Sequence, residues 1–167
     1  GITWLRGGSG ISAVSAAFVG ILGLAAQSMT YAPESMPFVA GGLPLFLFFL
    51  SALTLGAVFL PLFRSGNDAR SFGGILRICL WMLLAVLILA PLMGLTAGTV
   101  MQASAQAWLH SVWYWAGVLT IAAALVLVQL DRLCCAQKAL VLISVLCIRV
   151  VFFVDTVHTA TWIGFPY

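Results

Sequence analysis

ILRICLWMLLAVLILAPLMGLTAGTV, residues 75–100, decides what kind of protein this is. After Arg77, near its start, no charged residue appears before its end. An α-helix needs roughly 20 mostly apolar residues to cross the hydrocarbon core of a bilayer, and this run is long enough. Working outward, four further apolar runs are bounded by charge, proline or glycine: 11–29, 43–63, 112–130 and 139–160. The runs are continuous rather than alternating, which argues against a barrel. They predict an all-α integral membrane protein, a bundle of five transmembrane helices within a single domain over 1–167.

Composition supports the same class. Hydrophobic residues make up 63% of the 167 and charged residues 7%, with a mean hydropathy of +1.18. An ordinary soluble domain is about 25% charged. Four acidic and seven basic residues cannot clothe the surface of a soluble fold this size, so lipid is the expected solvent. A net charge of +3, dispersed along the chain, offers no nucleic-acid footprint.

The placement of charge carries more than its sum. The connections 30–42, 64–74, 101–111 and 131–138 are short and join antiparallel neighbours. Arg6, Arg64, Arg70, Arg77, Arg132 and Lys138 then fall at alternate ends of the five spans, and the remaining ends carry no Lys or Arg. By the excess of cations in cytoplasmic loops, the start of the chain is expected in the cytoplasm and its end outside. The 31–42 and 101–111 loops lie outside too, with Trp108, Trp113, Tyr114, Trp115 and Trp162 as an aromatic belt. The first run, rich in Gly, Ala and Ser, is expected to be a packed inner helix.

Few groups suit chemistry. Arg149 stands near the middle of the last run, and a charge inside the bilayer is a functional hypothesis by default. It reads either as a cap on backbone carbonyls or partner of a carboxylate, or as a contact to a quinone or substrate. Asp155 and His158, three apart on the same run, would share a helix face near the outer interface. They read either as a polar cap or as a pair that exchanges protons with a quinol hydroxyl. His110 reads as a solvated loop residue. With His110 and His158 both near the outer surface, haem held by paired histidines is disfavoured.

Cys79, Cys134, Cys135 and Cys147 show no CxxC or Cys/His ligand spacing and read as small buried hydrophobes, so no metal site is expected. Gln27, Gln102, Gln106 and Gln129 sit near helix ends, where glutamine bonds across helices. Pro91 with Gly94 and Gly98 either kinks the third helix or breaks it to open a cavity. No Walker, GxSxG, HExxH or dinucleotide glycine motif occurs, so no catalytic residue is assigned and any redox centres belong to other chains.

Two stretches carry a family likeness. Residues 26–37, AQSMTYAPESMP, followed by 44–56, PLFLFFLSALTLG, resemble the dimethyl sulfoxide reductase anchor subunit family, DmsC. In that family a helix ends in a tyrosine, a short proline loop follows, and the next helix begins Pro-Leu with paired phenylalanines. Arg149-Val150-Val151-Phe152-Phe153 is similar to the family's Gly-Arg-x-x-Phe-Tyr segment, whose arginine is also intramembrane. The departures are Ile148 where the family has Gly, and Val145 where it has glutamate one turn earlier; they weaken a carry-over of role to Arg149.

The resemblance implies the last five helices of an eight-helix anchor fold in the bacterial inner membrane, so the chain is expected to be an N-terminally truncated piece. It implies a subunit that binds and oxidises menaquinol and passes electrons to a four-cluster iron–sulfur partner and then to a molybdopterin catalytic subunit. It implies no cofactor on this chain, since molybdopterin and the clusters belong to the partners. The quinol-contacting or proton-handling candidates are Arg149, Asp155 and His158. Two readings from other classes stand beside it: half of a small-solute transporter with the 91–98 segment as its site, and a non-catalytic membrane scaffold or assembly protein.

Overall fold

The computed structural model describes residues 10–30, 38, 42–59, 68–130 and 135–156. They form helices α1 Gly10–Thr30, α2 Leu43–Phe59, α3 Asp68–Leu95, α4 Thr99–His110, α5 Val112–Gln129 and α6 Cys135–Val154, and no strand occurs among the described residues. By length and composition α3 (from Gly73), α5 and α6 can each cross a membrane, while α1 (from Val14) and α2 are shorter apolar helices. The chain is an all-α membrane protein whose apolar helices bundle side by side. Its outward faces carry Leu89, Leu92 and Met93 on α3, Leu119 and Val126 on α5, and Leu142 and Leu146 on α6, all exposed. A surface of that kind is matched to lipid.

Four helices close a ring in which α2 packs on α3, α3 on α5, α5 on α6 and α6 back on α2. The buried positions along the seam recur at helical spacing. On α3 the buried leucines are Leu76, Leu80, Leu83 and Leu87, and on α5 the buried positions include Gly117, Ile121, Ala124, Leu125 and Val128. Such four-then-three steps keep one stripe of a helix turned inward. The most extensive contact is between α5 and α6. There a Cβ placed on Gly117 would make ordinary contacts, 3.4 Å from Cys147 Cβ and 3.8 Å from the Ser144 carbonyl oxygen, so the seam has room for a residue as small as alanine.

Three buried hydroxyls are satisfied inside their own helices. Ser51 donates to the Phe48 carbonyl, Thr54 to Leu50 and Ser144 to Val141, at 2.9, 2.6 and 2.8 Å. A hydroxyl bonded one turn back brings no unpaired polar atom into the bundle.

The structure corrects the expected layout at several points. The 101–111 segment is not a loop; most of it is α4, separated from α3 only by Thr96–Gly98 and from α5 only by Ser111. It was hidden because its apolar face is one short stripe, with Ser104, Ala105 and Trp108 buried, on an otherwise polar helix. The third span starts earlier and stops at Leu95 rather than 100, and the last runs Cys135–Val154 rather than 139–160. Helix α2 is described to Phe59, and the end expected at 63 lies outside the described residues. Helix α1 follows its predicted bounds but is not an inner helix. It packs chiefly on α2, and from Val14 onward Ser28 is its one buried residue. Small residues permit close packing but do not create it without a partner on the other side.

Candidate functional site

The end of the bundle where α3 stops and α6 stops gathers the aromatic residues. After Leu95 the backbone turns, with the Thr96 and Ala97 N–H groups donating to Met93 and Gly94 carbonyls at 3.3 and 3.2 Å. The Gln102 side-chain amide on α4 donates to the Leu95 carbonyl at 3.1 Å, capping the helix before it. Helix α4 then lies against the end of α3, and Gly94 is what lets it. A Cβ there would stand 2.5 Å from Cε2 of Phe38 and 2.9 Å from Ala105 Cβ.

Trp108 is the hub. It is 1% exposed, meets Phe38 edge-on at 4.9 Å between ring centroids, and donates its indole N–H to Thr156 Oγ1 at 3.2 Å. That bond fastens α4 to the chain just beyond α6. Tyr114, 5% exposed, lies 6.5 Å from the Trp108 ring and donates its hydroxyl to the Leu87 carbonyl at 2.9 Å. These two were expected in an interfacial belt and are instead core residues; Trp113 and Trp115 of the same group are half exposed. Trp162 lies outside the described residues.

Leu87 is where the proline matters. Pro91 stands inside α3 and has no N–H, so the carbonyl four residues back loses its helical donor. The helix continues through it to Leu95, and Tyr114 supplies the missing donor from α5. The chain therefore breaks at Thr96–Gly98, at the end of the α3 span, and not midway along it.

Of the residues singled out by sequence, Arg149 is not at mid-helix. Because α6 runs Cys135–Val154, it stands five residues from the end, about 7.5 Å along the axis. It sits over the Phe48 ring of α2, 3.8 Å from the centroid. Phe48 in turn meets Phe152 edge-on at 5.4 Å, and Phe152 meets Phe153 at 5.3 Å. Arg149 is thus part of the α2–α6 joint.

Asp155 stands one residue past α6, with its N–H bonded to the Val151 carbonyl at 3.0 Å. One carboxylate oxygen, Oδ2, is buried with no hydrogen-bond partner. The helix ends at Val154, so Asp155 stands outside it. His158 itself lies outside the described residues. His110 ends α4, exposed, with Nδ1 2.8 Å from the Gln106 carbonyl oxygen.

Sequence reasoning passed over Gln137. It is 1% exposed in the first turn of α6, and its Nε2 has no partner. Its position at the start of an otherwise apolar run was the available signal. Tyr114 and Leu87 carried none, because their bond joins residues 27 apart. Among the described residues no three His, Cys, Asp or Glu side chains come together to hold a metal ion. No family model, no curated protein and no solved structure matches the chain.

Proposed function

We propose that this chain is part of the membrane anchor subunit of a molybdopterin oxidoreductase complex of the dimethyl sulfoxide reductase type, binding and oxidising menaquinol for an iron–sulfur partner. It lies in the bacterial cytoplasmic membrane, with its early end on the cytoplasmic side and the Asp155 end outside. The resemblance in residues 26–37, 44–56 and 149–153 supports the class, and the alternation of basic ends supports the orientation.

The observation that carries the reading is the Asp155 carboxylate oxygen, buried and without a donor at the end of α6. A carboxylate left unpaired in a medium of low dielectric is costly. Its free lone pairs can accept a hydrogen bond, and a quinol hydroxyl is a donor. Arg149, six residues earlier in the chain, places a fixed positive charge toward the same end of the helix.

The test is made in the assembled complex. The chain in its full-length subunit should purify with an iron–sulfur protein and a molybdopterin protein, and the complex should reduce its substrate with menaquinol. Asp155→Asn should leave assembly intact and lower quinol-dependent turnover by about 100-fold, the lower end of what a positioned proton acceptor contributes. Purification with no such partners and no quinol-linked activity would end this reading. Full turnover in Asp155→Asn would remove Asp155 from it.

A further inference from the structure

At the end of the bundle opposite Trp108, the outward face of α3 carries an exposed cation, Arg77. From Arg77 to Leu95, where α3 ends, is about 27 Å at 1.5 Å per residue. The hydrocarbon core of a bilayer is roughly 30 Å thick. With Leu95 at one edge of that core, Arg77 stands at the other, level with lipid headgroups, and Trp81 stands one turn deeper.

The surroundings of Arg77 on this face are open. The residues three and four before it are Gly74 and Gly73, and a Cβ added at either would meet nothing within 4 Å. A helical side chain lies over the turn preceding its own Cα, and for Arg77 that turn is bare backbone. Trp81, four residues on, is 52% exposed, and no hydrogen bond of its indole N–H is found among the described residues. Beyond it Ala85, Ile88 and Leu92 continue the exposed stripe at steps of four, three and four, which keep to one side of a helix. Asp68, the one acidic residue in α3, is nine residues before Arg77 and falls on the opposite side of the helix in register.

Charge and depth decide what this face fits. A guanidinium carries a fixed positive charge and donors spaced for bidentate bonds to phosphate. An indole supplies one N–H and no acceptor. The face therefore offers a cation at headgroup depth, a donor one turn deeper, and an apolar stripe beyond. A glycerophospholipid presents the complementary groups in the same order: a phosphate, then ester carbonyls that accept, then acyl chains.

We propose that this face of α3 binds an anionic phospholipid. Its phosphate lies against the Arg77 guanidinium over Gly73 and Gly74, an ester carbonyl accepts from the Trp81 N–H, and one acyl chain follows Ala85, Ile88 and Leu92. A zwitterionic lipid brings its own cation to the headgroup and gains less from the arginine. The site goes beyond the anchor-subunit reading and does not depend on it.

The full chain, stripped of lipid in mild detergent, would be titrated with phosphatidylglycerol and with phosphatidylcholine of the same acyl chains, and bound lipid counted by native mass spectrometry. Phosphatidylglycerol should bind about five-fold more tightly, the weight of one cation against an anionic lipid. Arg77→Gln should bring the two lipids to parity. Trp81→Phe should weaken both alike and leave the preference, since both carry ester carbonyls. Gly74→Leu covers the open backbone and keeps every charge; it should lower phosphatidylglycerol affinity with helical circular dichroism unchanged. Lys138→Gln removes a cation at the same end of the bundle, on α6, and should leave the preference intact. Equal loss of preference in Arg77→Gln and Lys138→Gln would overturn the site in favour of diffuse attraction. No preference in the unaltered chain would overturn it outright.

Discussion

The hydroxyl of Tyr114 on α5 donates to the Leu87 carbonyl on α3 at 2.9 Å, replacing the donor that Pro91 withholds one turn later. A proline in a membrane helix is tolerated where a neighbour satisfies the freed carbonyl, and here the neighbour is a single phenol. The bond repairs α3 and ties it to α5 in one step.

Tyr114→Phe should lower stability by about 1–3 kcal/mol, the cost of leaving a buried acceptor unpaired. Adding Pro91→Ala should recover most of that loss, because the backbone then supplies the donor itself. Unfolding in mild detergent, followed by circular dichroism, reads both. A double variant no more stable than Tyr114→Phe alone would show that the carbonyl is not what the tyrosine serves.

Gly94→Val should push α4 away from the end of α3. The first added carbon already meets Phe38 at 2.5 Å and Ala105 at 2.9 Å, and overpacking of this kind costs about 1–3 kcal/mol. Because Phe38 and Thr156 enclose Trp108, its emission should shift to longer wavelength. An unshifted spectrum at unchanged stability would mean that α4 does not rest on Gly94.

Gln137→Leu is expected to raise stability by about 1 kcal/mol, since it replaces a fully buried amide whose Nε2 has no partner by an apolar side chain of similar size. Thermal unfolding in detergent measures it. A loss of stability instead would reveal that the amide is bonded in the membrane-embedded protein.

Arg149 and Phe48 should be energetically coupled. A double-mutant cycle with Arg149→Met and Phe48→Leu is expected to give about 0.5–2 kcal/mol of interaction, the range for a cation over an aromatic face as it leaves water. Additive effects, with no coupling term, would contradict the ring contact.

Helix α3 shows how far the pattern of apolar residues reaches. Its uncharged run from Ile78 announced a membrane-crossing helix without any tertiary information, because lipid forces every backbone group to be satisfied within the segment. The same pattern could not place the end at Leu95, since residues 96–100 are apolar or small and suit a helix as well as a turn. What stops α3 is the docking of α4, through Gly94 and the Gln102 amide. Helix α4 itself was invisible for a related reason. Its twelve residues are too few and too polar to read as a span, and it is held by Trp108, whose partners are distant in the chain.

The candidate residues divide in the same way. Arg149 was conspicuous as a charge in an apolar run, but its depth depended on where α6 begins and ends, and its partner Phe48 lies on another helix. Asp155 was equally visible, whereas its buried, unpaired oxygen was not.

By itself the sequence determined the apolar surroundings and the helical class, because these follow from the length and hydropathy of contiguous segments. Only the tertiary structure decided that α1 is peripheral, that α4 exists, that Trp108 and Tyr114 are core residues, and that the Leu87 carbonyl is served from α5. Those outcomes depend on pairs of residues far apart in the chain. A membrane helix is apolar on every side, so its hydropathy carries almost no mark of which side will meet a neighbour.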